Sequence, residues 1–144
     1  MNAFCEKLSG LLDEYDAAVR EANARRKPGE GILGFGKKLS DDPCHWAFDR
    51  KIASLCEEMA SAAPSDMAEA VALLFQAERD RAWLECARWM LVAVQRHALP
   101  LIPLLPEEEK RAMLAWYGKR YPAFQRLPVQ QQIVRALQGS GRNT

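Results

Sequence analysis

Residues 81–98 read RAWLECARWMLVAVQRHA. Apolar side chains cover more than half the circumference of a helix drawn through this stretch, whereas a helix on the surface of a globular protein carries a single apolar stripe. These apolar residues are Trp83, Leu84, Trp89, Met90, Leu91, Val92 and Val94. We therefore predict a central apolar helix near residues 81–98, with other helices packed around it.

Helical periodicity continues on both sides of this stretch. Apolar residues recur at steps of three and four in segments 2–26, 42–62, 106–121 and 127–137, and in a further segment that opens at Pro64. No glycine or proline interrupts residues 65–99, but the apolar residues before and after position 80 point roughly 150° apart on one straight helix. We therefore place a break within residues 78–81.

No segment alternates apolar and polar residues as a half-buried strand does. The predicted fold is all-α, a single-domain bundle of five or six helices in an orthogonal or up-and-down arrangement. We expect this domain to span residues 1–139 and the tail, residues 140–144, to be loose.

Length and composition describe a globular chain without naming a partner. The 144 residues correspond to one ordinary domain, and 20 basic against 19 acidic residues give a net charge of +1. We find no secretory signal pattern and no apolar run long enough to span a membrane. A soluble cytoplasmic protein without a membrane partner is therefore expected. The four cysteines lack CxxC spacing, so free thiols are expected.

Residues 27–42 form the one long predicted loop, because glycines and a proline interrupt the helical pattern there. Gly29, Gly31 and Gly34 match GxGxxG, but a helix precedes them, whereas phosphate-binding loops follow a strand. A connection of this length in a compact domain is unusual unless it binds something or moves. We therefore predict that the loop binds a partner, through Gly31, Phe35, Lys37 and Lys38.

The start of the second predicted helix carries residues that suit thiol or metal chemistry: Asp42, Cys44, His45 and Asp49. Steps of three and four place Asp42, His45 and Asp49 along one helix face, where they would share a metal ion. The helix dipole would favour a Cys44 thiolate. The simpler alternative is that Asp42 caps the helix and His45 lies at the edge of the core.

The last quarter of the chain is basic, with no Asp or Glu in residues 110–144. A nucleic-acid surface within residues 110–142 would combine cationic and aromatic side chains, here Lys110, Arg111, Lys119, Arg120, Tyr121 and Arg126. Two alternatives are an acidic protein partner and ion pairs with the acidic residues of segment 52–80 in the same molecule.

Residues 99–106 read LPLIPLLP, with proline at every third position. Exposed, this segment would be a sticky apolar patch. We predict a buried elbow between two helices, and a dimer contact is the alternative.

None of these features specifies a reaction. The function predicted by elimination is that of a protein-protein interaction or scaffold module without catalytic activity and without a cofactor. Its partner would be an unidentified protein or a second copy in a homodimer. The alternatives are nucleic-acid binding and a thiol- or metal-dependent enzyme that uses Cys44 and His45.

Overall fold

The computed structural model describes residues 2–25 and 42–139. It contains six α-helices: α1 (Ala3–Ala24), α2 (Cys44–Met59), α3 (Pro64–Phe75), α4 (Arg88–Val94), α5 (Glu107–Arg120) and α6 (Pro128–Gln138). Three 3-10 helices, Ala82–Ala87, Gln95–Leu104 and Ala123–Gln125, lie between them. No strand occurs in these two ranges. The all-α bundle is thereby confirmed, whereas the domain limits 1–139 stay a prediction.

Helix α1 is held at its start by Asn2. The Asn2 side-chain oxygen accepts a hydrogen bond from the Cys5 backbone N–H at 2.9 Å, which satisfies one of the free donors of the first turn. The Asn2 amide nitrogen donates to the Asp66 carbonyl at 3.3 Å. This side chain therefore caps α1 and attaches it to α3.

The central stretch is helical and buried, but it is not one α-helix. Residues 81–98 divide into the end of a turn, a 3-10 helix, the short helix α4 and the start of a second 3-10 helix. One face of this stretch is buried throughout, through Leu84, Ala87, Met90, Val94 and Ala98. The predicted central position is therefore correct, and the predicted continuous helix is not.

Contacts with α1 set the start of the central stretch. The Trp83 backbone N–H donates to the Asp16 carboxylate at 3.0 Å, and the Arg81 guanidinium pairs with Asp13 at 2.8 Å. These bonds attach the start of the central stretch to α1, and the chain there adopts the tighter 3-10 form. The break expected within residues 78–81 lies in the turns that separate α3 from Ala82.

The segment 99–106 is buried on one side only, so the predicted buried elbow is confirmed in part. Leu101, Ile102 and Leu105 are buried, while Pro100 and Pro103 are exposed. Both prolines lie within the 3-10 helix Gln95–Leu104, whose three-residue turn places every third side chain on the same side. Pro100 and Pro103 therefore face solvent and Leu101, Ile102 and Leu105 face the core, whereas Leu104 is 49% exposed.

Helices α5 and α6 close the bundle. Three glutamates occupy the first turn of α5, and Lys119 and Arg120 occupy its last turn, an arrangement that the helix dipole stabilises. Gly139 ends α6 with φ of 85°, in the left-handed region that glycine adopts without a steric penalty. One hydrophobic core contains residues from all six α-helices.

Candidate functional site

The predicted partner-binding loop lies outside the described residues, apart from Asp42. Gly31, Phe35, Lys37 and Lys38 all belong to the part that is not described. Their role stays a prediction. The predicted tail at 140–144 also lies outside the described ranges.

The structure separates the three residues that were expected to share one face of the second helix. Helix α2 begins at Cys44, so Asp42 precedes it, accepts the Cys44 backbone N–H at 3.0 Å and pairs with Arg25. The carboxylate of Asp49 contacts Arg96 at 2.9 Å and His97 at 3.0 Å. In the portions that the structure describes, no three His, Cys, Asp or Glu side chains gather as metal ligands.

His45 is a core residue. Its ring is fully buried, and its Nδ1 atom lies 2.6 Å from the Tyr15 hydroxyl. Burial raises the pKa of Tyr15, which keeps this hydroxyl protonated and able to donate the bond. The His45 ring also lies 5.0 Å from the ring of Trp89, between centroids.

The Cys44 thiol does not have the lowered pKa of a reactive nucleophile. Burial and the nearby Asp42 carboxylate raise its pKa to about 12, because both disfavour a thiolate. Its sulfur lies 4.0 Å from His45 Nδ1, the atom that already contacts Tyr15. This geometry supports the capping and core alternative for Asp42 and His45.

The six residues of the predicted nucleic-acid surface are not equally available. Lys110 is 5% exposed and Tyr121 is 6% exposed. Lys110 pairs with Glu107 at 2.8 Å, and Arg126 donates to the Tyr121 carbonyl at 2.8 Å and to Gln131 at 3.2 Å.

Arg120 pairs with Glu78, so the acidic and basic segments do meet within one molecule. Arg111 and Lys119 are exposed and form no salt bridge with another residue in the described ranges. The six residues are therefore not equally free to contact a partner, and their nucleic-acid role stays a prediction.

A cavity of about 420 Å³ opens between α4, the end of α5 and the start of α6. It is lined by Arg88, Trp89, Val92, Arg120, Tyr121, Gln125, Leu127 and Gln130. Large hydrophobic residues are exposed beside it: Trp89 is 40% exposed, Leu127 51% and Phe124 84%. Trp46, 53% exposed, lies on α2 with its ring 6.5 Å from that of Trp89. We call the cavity together with Trp46, Trp89, Phe124 and Leu127 the Trp89 face.

Two arginines approach the ring of Tyr121 in the wall of this cavity. The guanidinium carbons of Arg88 and Arg120 lie 5.8 and 5.7 Å from the ring centroid, within the range of cation–π attraction. Glu78 neutralises Arg120, whose Nε also donates to the Tyr121 hydroxyl at 3.1 Å. Arg88 forms no salt bridge to any described residue, so one positive charge of this wall is uncompensated.

The turn that carries Phe124 is braced by hydrogen bonds. The Gln125 N–H donates to the Pro122 carbonyl at 2.8 Å, and the Leu127 N–H donates to the Gln130 side chain at 2.9 Å. The Arg126 bond to the Tyr121 carbonyl spans the same turn. An exposed aromatic ring is thus held on a fixed backbone beside an open cavity.

A larger groove, of about 800 Å³, lies between α1 and α2. Its walls are bridged by two ion pairs, Lys7–Glu58 and Lys51–Glu14, and no aromatic side chain lines it. Because interaction sites favour exposed aromatic residues, the cavity beside Trp89 is the better candidate although it is the smaller of the two.

Sequence reasoning missed the Trp89 face. It assigned Trp89 and Val92 to a central helix and Arg120, Tyr121 and Phe124 to a basic, aromatic segment, and it did not single out Arg88. The sequence carried one sign of this exposed face. Apolar residues cover more than half the circumference of a helix drawn through residues 81–98, and contact with one core does not bury that much apolar surface.

Comparison with known proteins adds no functional information. No family model matches the chain, and neither a curated protein nor a solved structure shows significant similarity to it. No helix of residues 2–25 and 42–139 is both long and apolar enough to cross a membrane.

Proposed function

We propose that this chain is a protein-binding module without a catalytic step, and that the Trp89 face binds an acidic protein segment carrying an apolar side chain. The observation that carries the proposal is the clustering of exposed aromatic residues around a cavity whose wall holds an uncompensated arginine. Aromatic residues and arginine are the residue types that dominate binding energy at protein interfaces.

The exposed apolar area is large enough to matter. Aromatic side chains bury about 150–250 Å² each when fully covered, so Trp46, Trp89 and Phe124, at their exposures, present roughly 350 Å² in all. Contiguous apolar patches of a few hundred Å² on a soluble protein mark interaction sites. Covering this face would therefore stabilise a complex.

Charge specifies the kind of partner. The part of the face built from residues 110–139 contains no carboxylate, and Arg88, in the cavity wall, is exposed without a salt bridge to any residue that the structure describes. An acidic segment complements this surface. Single-stranded nucleic acid is less well matched, because Tyr121 is buried and Lys110, Arg120 and Arg126 already have partners.

The four tryptophans provide a test with internal controls. We would record the indole N–H resonances of ¹⁵N-labelled protein during titration with two short peptides, both ending in phenylalanine with a free carboxylate. One peptide has a run of glutamates before the phenylalanine, and the other has a run of lysines. We expect the glutamate peptide to shift the Trp46 and Trp89 resonances and to leave those of Trp83 and Trp116 unchanged.

Two charge reversals test the location. Arg88→Glu should abolish the shifts, whereas Arg111→Glu should preserve them, because Arg111 lies about 13 Å from Arg120 along the same helix. Equal shifts with the lysine peptide would contradict the proposal. Shifts produced by oligothymidine, with a steep salt dependence, would favour the nucleic-acid alternative instead.

A further inference from the structure

Glu78 lies behind the wall of the cavity in the Trp89 face. Its side chain is 6% exposed and pairs with Arg120, whose side chain is 36% exposed. Arg120 lines the cavity, whereas Glu78 is not among the lining residues. A partner in the cavity would therefore meet Arg120 directly and would feel Glu78 only through its charge.

The two arginines of the cavity wall differ in what they can offer such a partner. Both guanidinium groups lie over the Tyr121 ring. Arg88 has no salt bridge within the described ranges, whereas Glu78 cancels the charge of Arg120. Arg120 donates through Nε to the Tyr121 hydroxyl and through Nη2 to Glu78, while its Nη1 donates to no residue that the structure describes. Arg120 therefore has a free donor but no net charge to offer.

Burial makes this cancellation effective. Salt screens a partly buried charge much less than an exposed one, so the Glu78 carboxylate acts on its surroundings with little screening. The carboxylate also has a strong reason to keep its partner, because a buried charge that loses its counter-ion is costly. The Glu78–Arg120 pair therefore stays formed when an acidic partner arrives.

We infer that Glu78 limits how tightly the Trp89 face binds an acidic partner, because it holds Arg120 electrically neutral. The inference rests on the proposed function and adds the residue that sets the charge selectivity of this face. Arg88 supplies the net charge of the wall, and Arg120 supplies a donor. Glu78 is a positioning residue that acts through Arg120 and does not touch the partner.

Neutralising Glu78 should therefore tighten binding. The glutamate peptide is titrated into the wild-type protein and into Glu78→Gln at low ionic strength, and the Trp89 indole resonance is followed. We expect the dissociation constant to fall about three- to tenfold in Glu78→Gln, and the gain to shrink as salt is added. A merely structural role for Glu78 predicts unchanged or weaker binding, and either result would overturn the inference.

Two further variants test whether the effect acts through Arg120. Glu57→Gln removes the same charge from an exposed position of α2, about 16 Å along the helix from Trp46, and should leave the dissociation constant unchanged. Glu78→Gln combined with Arg120→Gln restores the original net charge of the wall and should return the affinity to about that of the wild-type protein. A gain that persists in this double variant would overturn the role of Arg120. If Glu78→Gln does not fold, Glu78→Leu carries the same expected gain.

The wild-type titration separates this inference from the proposed function. If the wild-type protein and Glu78→Gln bind the glutamate peptide equally well, the inference fails and the proposed function stands. If neither protein binds the peptide, the proposed function is refuted and the inference falls with it.

Discussion

Tyr117→Phe should destabilise the fold because it leaves the buried side-chain oxygen of Gln95 without a hydrogen-bond donor. The Tyr117 hydroxyl on α5 donates to the side-chain oxygen of Gln95, in the 3-10 helix after α4, at 2.9 Å. Both residues are buried, with 0% and 2% exposure. The substitution leaves the Gln95 oxygen in the core without its donor, and a buried unsatisfied group of this kind costs about 1–3 kcal/mol.

Urea unfolding followed by circular dichroism measures this cost. With a denaturant slope of about 2 kcal/mol per molar urea, a loss of about 2 kcal/mol moves the unfolding midpoint down by about 1 M. Two further variants separate the free energy of the hydrogen bond from the effect of removing the tyrosine oxygen atom. Gln95→Met alone orphans the tyrosine hydroxyl, whereas Gln95→Met combined with Tyr117→Phe removes both polar groups.

The loss of unfolding free energy in the double variant should therefore be about 1 kcal/mol smaller than the sum of the losses in the two single variants. The reasoning is refuted if Tyr117→Phe costs less than about 0.5 kcal/mol, or if the two substitutions add within about 0.5 kcal/mol. Either result would mean that water reaches Gln95 in the native state.

Three further predictions follow from the structure. Gly10→Ala in the interior of α1 should raise the free energy of unfolding by about 0.5–1 kcal/mol, because no atom lies within 4 Å of the added Cβ; a decrease in the urea midpoint would contradict this. Iodoacetamide at neutral pH, followed by mass spectrometry, should label exposed Cys86 before Cys44, whose pKa is raised to about 12; faster labelling of Cys44 would support the thiol-enzyme alternative. Burial raises the pKa of Cys56 from 9.0 to about 12 and also raises that of Tyr117. The contribution of Cys56 to stability is therefore complete below pH 9 and lost as pH rises from 9 towards 12, and that of Tyr117 is lost only above pH 10. The melting temperature should fall from pH 9 upwards, and a rise there would contradict the prediction.

Helices with local start and stop signals could be predicted from the sequence. The glutamates of α5 and the glycine after α6 act on the backbone turn next to them, so their effect does not depend on the rest of the fold. The ends of those two helices accordingly match the predicted segments closely.

The central stretch shows what local signals omit. Its apolar arc predicted burial correctly, because burial depends on how much apolar surface a segment carries. The start of this stretch is held by bonds from Asp13 and Asp16 of α1, which lie more than sixty residues away along the chain. No pattern within residues 81–98 contains that information.

The same distinction applies to the candidate site. The sequence gives the basic character of residues 110–144, but ion pairing decides which charges stay available, and Glu78 reaches Arg120 only after α3 and α5 pack in one bundle. Likewise, periodicity shows that Trp89 belongs to an apolar arc, but only the placement of α2 and α6 decides which part of that arc remains uncovered.

Rigidity is the property that makes the Trp89 face suited to binding. An exposed aromatic ring on a flexible turn would lose conformational entropy when a partner covers it, and that loss would subtract from the affinity. Phe124 projects from a turn fixed by three hydrogen bonds, so its backbone is already ordered before any partner arrives. Trp89 is similarly restrained by the buried ring of His45 beneath it.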